Sequence, residues 1–318
     1  MRIVFTCDLH GRRHLYEEMF RYAVTEDADC LIIGGDLLPT WLRSPYKLIT
    51  GGIDFSEALR VQISFIDSFL SPAVSSFSAR YPDIRIFYVP GNHDWSAAVE
   101  HLKVSVEQAA CLHLRTETFK DITFAGYGCV TDSTFWVKDY VRRDMRETGY
   151  VKSRYPLVSS GDGIATSLDG AYALQRPSME EELVSLALPK TAKAVCIFHC
   201  PPYGTGLDTL YSGKPIGSRA IAGFIQKNTP CVSMHGHIHE APYLSGSYHT
   251  TIGPTVAVNP GHHPSKLHAV SFDTDSPGES LSHSVFGTGR VIRSGFSRVK
   301  DRYVRMLKGF LMKKVLMS

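Results

Sequence analysis

Five short apolar runs in this chain each end in residues that commonly bind metal ions. A short apolar run bounded by turn residues is typical of a buried β-strand, and the carboxyl ends of parallel strands meet at one edge of a sheet. The five ends are Asp8-Leu9-His10, Gly34-Gly35-Asp36, Gly91-Asn92-His93-Asp94, His199 and Gly236-His237-Ile238-His239. Chance does not explain five such ends along one sheet edge, so we expect an α/β sheet that gathers them into a single site.

Short apolar runs alternate with longer amphipathic stretches along the chain, which is typical of βαβ units. The predicted strands are Ile3–Cys7, Cys30–Ile33, Ile84–Val89, Ile122–Ala125, Ala194–Phe198, Cys231–Met234, Ser247–Ile252, Thr255–Val258 and Leu267–Phe272. The predicted helices are His14–Thr25, Phe55–Ala79, Ala97–Ala109, Met179–Leu186 and Arg219–Lys227. Only turn residues separate the last strands, so we expect these strands to be antiparallel.

The residue types at the strand ends indicate divalent ions. Carboxylate, imidazole and amide oxygen suit manganese, iron or zinc, whereas a site rich in thiolates would suit zinc or iron–sulfur clusters. An extended Asp8-Leu9-His10 segment places both polar side chains on one side of the chain. His237 and His239 are expected either to do the same or to bind two neighbouring ions. Asp36 has two carboxylate oxygens and can bridge two ions about 3.5–4 Å apart.

The count of charges predicts an anionic substrate. Only two carboxylates, Asp8 and Asp36, would balance two divalent ions and one hydroxide, so the site would keep a net positive charge. Such a charge attracts a phosphate group. The glycines that precede Asp36, Asn92 and His237 would let the backbone turn tightly beneath the ions.

The ordered set of strand ends resembles the calcineurin-like metallophosphoesterase superfamily, over residues 3 to about 260. Each motif alone is weak evidence for the family, because Asp8 could cap a helix and Gly35-Asp36 could form a turn. The complete set in this order is specific. Finer features resemble the Icc-related branch of predicted phosphoesterases, and these are His199-Cys200-Pro201-Pro202-Tyr203-Gly204-Thr205, Glu240 and Asn259-Pro260-Gly261.

The resemblance implies an α/β fold of four layers, an α/β/β/α sandwich of two packed mixed sheets flanked by helices. It implies two divalent ions, Mn²⁺ or Fe with Zn²⁺ as an alternative. The first ion would bind Asp8, His10, Asp36 and His239. The second ion would bind Asp36, Asn92, His199 and His237. In the family, the residue at the position of His93 protonates the leaving group, and the acidic partner at Asp94 supports its charged form.

The expected function is hydrolysis of a phosphate ester, with a phosphodiester of nucleotide type as the first choice. A hydroxide held by the two ions would attack phosphorus, and His93 would donate a proton to the departing oxygen. Other activities on the same fold stay open, namely a phosphomonoesterase, a nuclease or a lipid pyrophosphatase. A catalytically silent metal-binding scaffold is a further alternative, although the complete ligand set and His93 argue against it.

Several other histidines and loop residues have no assigned role. A lone histidine is more often structural than functional, so we expect the following histidines to be structural or exposed: His235, His249, His262, His263 and His268. Tyr203, Thr205 and Asp208 lie in a loop rich in Pro and Gly, and they either contact substrate or shape that loop. Asn259-Pro260-Gly261 is a turn on local chemistry, and only the resemblance brings it near the site.

Residues 130–178 show no clear periodicity, and a segment of that length is usually a functional loop or lid. Within it, Ser133–Glu147 is predicted to form a helix with apolar residues partly on one side. Its cations are Lys138, Arg142, Arg143 and Arg146. Either the segment is a lid whose arginines hold a phosphate or nucleotide, or it is a solvated surface helix, and the second alternative is favoured.

The end of the chain differs from the rest. Residues 290–318 carry a local charge of +8, whereas the whole chain carries +3. Val299, Tyr303, Met306, Leu307 and Phe310 fall on one helical face. We therefore predict a catalytic domain at 1–290 and a basic amphipathic tail at 291–318. The tail is expected to dock on the body, with contact to an anionic membrane or an acidic partner as alternatives.

Bulk composition indicates an ordinary globular protein, with 43% apolar and 20% charged residues. The acidic balance outside the tail argues against broad nucleic-acid binding by the main domain. Met1–Cys7 predicts a buried strand rather than a secretion signal. Seven cysteines, mostly within apolar runs, are typical of free thiols, so a cytoplasmic location is expected. The oligomeric state is not predicted.

Overall fold

Two six-stranded mixed sheets form the centre of the protein in the computed structural model. The structure describes residues 1–40, 55–153, 156–159, 165–167, 172–189, 193–289 and 291. The strands are β1 (Arg2–Thr6), β2 (Cys30–Gly34), β3 (Arg85–Val89), β4 (Ala109–Cys111), β5 (Arg115–Phe119), β6 (Ile122–Tyr127), β7 (Val130–Thr131), β8 (Val141–Arg142), β9 (Leu157–Ser159), β10 (Ala165–Ser167), β11 (Lys193–Phe198), β12 (Val232–Met234), β13 (His249–Ile252), β14 (Thr255–Val258), β15 (Ala269–Asp273) and β16 (Ser282–His283). The helices are α1 (Arg13–Thr25), α2 (Phe55–Phe65), α3 (Ser71–Arg80), α4 (Ser96–Ser105), α5 (Tyr172–Gln175), α6 (Met179–Leu183), α7 (Arg219–Asn228), α8 (Ala241–Ser245) and α9 (Pro277–Ser280), and one turn of π-helix (Ile66–Leu70) joins α2 to α3.

Each sheet contains four adjacent parallel strands. The first sheet has the order β16-β15-β1-β2-β3-β4, in which β1 to β4 are parallel and β15 and β16 extend one edge by antiparallel pairing. The second sheet has the order β13-β14-β12-β11-β6-β5, in which β14, β12, β11 and β6 are parallel. Its edges β13 and β5 are antiparallel to their neighbours. The carboxyl ends of eight parallel strands are therefore available to build a site.

The two sheets pack face to face through an apolar layer. Strands of the first sheet contribute Ile3, Phe5, Ile32, Phe87 and Phe272, and strands of the second contribute Phe124, Val195, Ile197, Met234 and Val258. The rings of Phe87 and Phe124 meet across the layer with centroids 4.8 Å apart. Full burial of such side chains contributes about 1.5–3 kcal/mol each, so this layer fixes how the sheets face each other.

The opposite face of each sheet is covered by helices. Helix α1 buries Leu15, Tyr16, Met19 and Ala23, which recur at helical spacing. On the second sheet, the ring of Phe198 packs edge-on against Phe224 of α7 with centroids 5.5 Å apart. Because both faces are covered, the strands are apolar on both sides, which explains their continuous apolar runs. The predicted four-layer α/β/β/α sandwich of two mixed sheets is confirmed.

The nine predicted strands and the first five predicted helices are observed, most with shifted ends, and the late strands differ from expectation in two ways. Strands β13 and β14 form the expected antiparallel hairpin, but β14 also pairs in parallel with β12. The strand predicted at Leu267–Phe272 is observed as β15 and joins the other sheet, antiparallel to β1. Helix α4 ends at Ser105 rather than Ala109, because Ala109 begins β4 beside β3.

The prediction of a helix at Ser133–Glu147 was wrong. The segment consists of turns and the short strand β8, which pairs in parallel with β7. Its polar side chains bind elsewhere: Lys138 Nζ lies 2.7 Å from Asp132 Oδ1, and the Asp139 carboxylate accepts from the backbone N–H of Ser96 at 2.7 Å. These tertiary contacts outweigh the weak helical pattern.

The predicted tail lies outside the described residues except for Val291, whose side chain is buried in the inter-sheet layer. Within the described ranges, no helix is long and apolar enough to cross a membrane.

Candidate metal centre

The five predicted ligand-bearing ends all follow parallel strands and converge at one edge of the sandwich. The first sheet supplies Asp8 and His10 after β1, Asp36 after β2 and Asn92 after β3. The second sheet supplies His199 after β11 and both His237 and His239 after β12. The centre therefore lies between the sheets, at their shared carboxyl edge.

Four of the predicted residues form one compact group. One ligand atom from each of Asp8, His10, Asp36 and His239 lies within 4.8 Å of the others. The Nε2 atoms of His10 and His239 are 3.4 Å apart, and Nε2 of His239 is 3.2 Å from Asp8 Oδ1. Carboxylates and imidazoles that converge in this way fit one divalent ion. These are the four residues predicted for the first ion.

The remaining predicted residues form a second group on the other side of Asp36. Nε2 of His199 lies 3.6 Å from Asp36 Oδ1 and 3.3 Å from Asn92 Oδ1. The His237 ring is 5.4 Å from the His199 ring between centroids. Asp36 Oδ2 instead faces Nε2 of His10 at 3.8 Å. The two carboxylate oxygens of Asp36 thus face different groups, which is the arrangement that a bridging ligand needs.

Hydrogen bonds to the far ring nitrogens orient two of the histidines. Nδ1 of His199 lies 2.7 Å from the carbonyl oxygen of Gly34, so the Nδ1–H donates and Nε2 faces Asp36 and Asn92. Nδ1 of His10 lies 2.8 Å from the hydroxyl of Thr40. Metal-binding histidines generally use such outer partners to fix the ring and its tautomer.

The backbone at this edge is held in a conformation that side chains rarely adopt. Asp8, His10, Asp36 and His237 have φ values of 58°, 48°, 51° and 66°. Gly35 has φ of 104°, and a Cβ atom there would collide with the His199 ring. Left-handed backbone at non-glycine residues is uncommon and concentrates at functional sites. Four candidate ligands share this conformation. This indicates that the local backbone is arranged to direct their side chains into the site.

The buried charges create a demand for positive charge at the centre. Asp8 and Asp36 are 0% and 1% exposed. Burial would raise the pKa of Asp36, but the charges of His93 and His199 hold it well below its usual range. Burial would lower the pKa of His199, but the charge of Asp36 raises it to about 9. Burial lowers the pKa of His237 to about 3, which leaves its nitrogen lone pair available. The donor set and its charge therefore fit two cations.

His93 lies on the open side of this centre. Its side chain is 25% exposed, and its Nε2 lies 4.0 Å from Asp36 Oδ2. Its Nδ1 lies 3.3 Å from the Thr40 hydroxyl, and its ring packs on Phe135 with centroids 4.7 Å apart. Phe135 belongs to the predicted loop or lid region, which thus reaches the site with an aromatic side chain.

Asp94 does not contact His93 in the way the resemblance implies. The carboxylate of Asp94 accepts from the backbone N–H groups of Gly91 at 2.8 Å, Leu38 at 2.8 Å and Leu37 at 3.2 Å. It therefore ties the loop after β3 to the loop after β2. Among the described residues, it is the Thr40 hydroxyl that lies at hydrogen-bond distance from the His93 ring.

Three of the four cations of the predicted lid are engaged by neighbouring residues, whereas the Arg146 side chain is 76% exposed. Nε of Arg142 lies 2.8 Å from Glu182, and Nη1 of Arg143 donates to the Arg146 carbonyl at 2.6 Å. Lys138 pairs with Asp132 and is largely buried. These contacts hold the segment together, so they do not favour the alternative in which its arginines hold a phosphate.

Sequence reasoning assigned His262 no role at the site and placed Asn259 near the site only through the resemblance. His262, expected to be structural or exposed, has its ring centroid 4.8 Å from that of His239 and 5.5 Å from that of His10. Asn259 donates to the carbonyls of Gly236 and Ile238, on either side of His237. Both residues follow β14. A parallel pairing of β14 with β12 would have predicted this position, because it places the carboxyl end of β14 at the same edge as the metal ligands.

The sequence profile of the calcineurin-like phosphoesterase family matches residues 1–241. Together with the ligand groups on either side of Asp36, this match identifies a metal-dependent hydrolase of phosphoester bonds. The chain belongs to that family.

Two solved structures are similar to the chain over nearly their whole length. One crystal structure is 17% identical with a TM-score of 0.58, and the comparison covers 89% of this chain and 98% of that one. The crystal structure of the protein TT1561 of Thermus thermophilus is 17% identical with a TM-score of 0.52, covering 89% and 97%. At this identity they demonstrate the shared fold alone. Among curated proteins, none matches this chain.

Proposed function

We propose that this protein hydrolyses a phosphodiester of nucleotide type, with two divalent ions and with His93 as the general acid. The observation that carries the proposal is the position of Asp36 between the two ligand groups, with His93 at 4.0 Å on the open side. When bound, the ions supply an activated water molecule and neutralise charge on the phosphoryl group. The proposed metals are Mn²⁺ or Fe, with Zn²⁺ as an alternative.

The side chains around the centre have distinct proposed parts in this reaction. Asp8, Asp36 and His199 form a buried floor that holds the ions, since each is at most 1% exposed. The His93 ring stands above that floor, where it can donate a proton to the departing oxygen. Phe135 packs on this ring and limits how far it can turn. A leaving group would therefore depart past His93 and Phe135.

A diester of nucleotide type is proposed for two reasons. The loop residues after β11 and β14 resemble the Icc-related branch, and a flat apolar surface borders His93. The partly buried ring of Phe135 could pack against a nucleobase or another aromatic leaving group. The same centre could serve a monoester, so the ester class is the first property to measure.

A hydrolysis screen tests the proposal. The protein would be loaded in turn with Mn²⁺, Fe²⁺ and Zn²⁺ and offered cyclic nucleotides, dinucleotides, nucleoside monophosphates, sugar phosphates and aryl phosphate esters. We expect turnover of at least one nucleotide diester that is abolished by a chelator and restored by the metal. Turnover confined to monoesters would overturn the diester proposal. No turnover of any ester, despite two bound ions, would favour the silent scaffold.

The proposed location is the cytoplasm. All seven cysteines are free thiols, and five of them are buried. Free structural thiols of this kind are typical of a reducing compartment. Measurement of the protein in cell fractions tests this location.

A further inference from the structure

His262 holds an unassigned imidazole beside the first ligand group. Its ring lies 4.8 Å from the His239 ring and 5.5 Å from the His10 ring, between centroids. Its backbone N–H donates to the carbonyl oxygen of His239 at 3.3 Å. A residue after β14 is thereby fastened to a residue that contributes to the metal centre.

The loop that carries His262 is fixed from three directions. The Asn259 amide nitrogen donates to the carbonyls of Leu207 at 2.9 Å, Ile238 at 3.2 Å and Gly236 at 3.3 Å. Its amide oxygen accepts from the N–H of Gly261 at 2.9 Å. All of these groups are buried, so their loss would leave unpaired polar atoms. The loop therefore has one favoured conformation.

The carbonyl oxygen of Pro260 accepts from two further histidines. Nδ1 of His268 lies 3.0 Å from it, and Nε2 of His283 lies 3.1 Å from it. Nδ1 of His283 accepts from the backbone N–H of Val285, which leaves Nε2 to carry the proton. Two N–H groups thus hold the peptide group two residues before His262.

The His262 ring itself is free of such bonds. Among the described residues, its ring nitrogens form no hydrogen bond, although the ring is half-buried. Nδ1 of His10 and Nδ1 of His93, by contrast, both lie near Thr40. The loop is held firmly through its backbone while the imidazole at its end keeps its hydrogen-bonding capacity.

The position of His262 fits a substrate contact better than a metal ligand. The compact group of ligand atoms comprises Asp8, His10, Asp36 and His239, and His262 stands outside it. Within this group an imidazole, not a carboxylate, faces solvent. The His239 side chain is 36% exposed, whereas the Asp8 side chain is 0% exposed. The His262 ring lies beside this exposed imidazole, with 4.8 Å between centroids.

We propose that His262 binds the substrate by donating a ring N–H to a phosphoryl oxygen beside the first ion. The inference rests on the proposed function, because it needs a phosphate group at this centre. It assigns a specificity role to a residue of the second sheet, on the rim that also carries His239. His93 would face the departing oxygen, and His262 would face an oxygen that stays on phosphorus.

Three variants separate the hydrogen bond from packing. His262→Phe keeps a flat ring against His10 and His239 but removes the N–H. His262→Gln replaces the ring with another donor. His263→Ala is the matched control, because Nδ1 of His263 lies 3.2 Å from Ser265 N and away from the ligand group. Each protein would be titrated calorimetrically with Mn²⁺ from the metal-free form, and then with inorganic phosphate after loading with Mn²⁺.

Binding of inorganic phosphate is expected to weaken about tenfold or more in His262→Phe, as for loss of a hydrogen bond to a charged group. Mn²⁺ binding should stay unchanged in all three variants, and His262→Gln should recover part of the phosphate affinity. Wild-type phosphate affinity in His262→Phe, or loss of one Mn²⁺ ion, would overturn the proposed contact alone. A wild-type protein that neither binds phosphate nor hydrolyses an ester would instead overturn the proposed function.

Discussion

Asp36 serves both ligand groups because its oxygens point to different histidines. Oδ1 lies 3.6 Å from Nε2 of His199, whereas Oδ2 lies 3.8 Å from Nε2 of His10. Oδ1 also accepts from the backbone N–H of His93 at 2.8 Å, which prevents the carboxylate from turning. Asn92 contributes one amide oxygen near His199 only. The two residues should therefore differ in how many ions depend on them.

Replacement of Asp36 by Ala should lower the occupancy of both ions, whereas Asn92→Ala should mainly lower the second. The physical reason is that a shared carboxylate would supply one oxygen ligand to each ion and one negative charge to the pair. Elemental analysis of metal content after dialysis measures the effect. Asp67→Ala is a suitable control, since Asp67 is exposed and bonds to His101. Two tightly held ions in the Asp36 variant would refute a bridging role.

The proposed acid role of His93 predicts a dependence on the leaving group. A nitrophenolate departs without a proton, whereas a ribose alkoxide needs one. His93→Ala should therefore keep its ions and lose far more rate on an alkyl diester than on an aryl ester. General acids contribute about 10²–10⁴-fold, so the two losses should differ within that range. His101→Ala, which changes an exposed histidine on α4, should leave both rates unchanged.

Equal losses on the two ester types, with unchanged metal content, would remove His93 from the acid role. The comparison isolates proton donation, because both ester types would need the same ions and the same attacking water.

At the scale of elements, the strand ends were predictable because burial and chemistry coincide there. The continuous apolar runs of β1, β2, β3, β11 and β12 reflect sheets covered on both faces, and polar residues appear only where each strand ends. The carboxyl ends of three strands from one sheet and of two strands from the other could then be assigned to one edge of the sandwich. The spacing of Asp8 and His10 alone could not have predicted their backbone, which is left-handed rather than extended.

The features that could not be predicted from the sequence depend on long-range pairing. Strand β14 was expected to be antiparallel to its neighbours, but it is also parallel to β12, and this brings Asn259 and His262 to the site. Ser133–Glu147 has a weak helical pattern, yet its conformation is set by contacts such as Asp139 with Ser96. Asp94 follows His93 directly, but its partners are backbone groups of another loop. Contacts between residues that are distant in the sequence leave no recognisable pattern in the local sequence.

The close approach of the loops after β2 and β3 makes Gly91 essential for the centre. A Cβ atom at Gly91 would lie 2.7 Å from Nε2 of His199 and would also collide with the Asp36 carboxylate. Gly91→Ala should therefore push both ligands apart and weaken the binding of both ions. Titration of the metal-free variant with Mn²⁺ measures this loss.

Gly223→Ala provides the matched control for Gly91→Ala. Gly223 lies in α7, and an added Cβ there would have no atom within 4 Å apart from its chain neighbours and the backbone of its own helix. Alanine there should leave metal binding unchanged and stabilise the helix by roughly 0.5–1 kcal/mol. Wild-type metal affinity in Gly91→Ala would mean that the two loops can separate without cost to the centre.

At the scale of the whole molecule, buried histidines connect the metal edge to the far edge of the first sheet. His268 and His283 are 4% and 2% exposed, and their rings lie 5.0 Å apart between centroids. Both donate to Pro260, and burial favours the neutral form of each ring. Burial lowers the pKa of His283 to about 4 and that of His268 to about 3. The stability of the protein should therefore depend on pH through residues that bind no metal.

The sign of this dependence follows from where the protons bind. The usual pKa of histidine is 6.5 and that of folded His283 is about 4, so between these values the unfolded chain binds the extra proton. The contribution of His283 is complete above pH 6.5 and is lost as the pH falls towards 4, at about 1.4 kcal/mol per pH unit. His283→Gln lacks this proton, so its deficit relative to wild type should shrink on acidification. Urea unfolding of both proteins at pH 7, 6 and 5, with a chelator present, measures the difference. A deficit that stays constant or grows as the pH falls would contradict a neutral, buried His283.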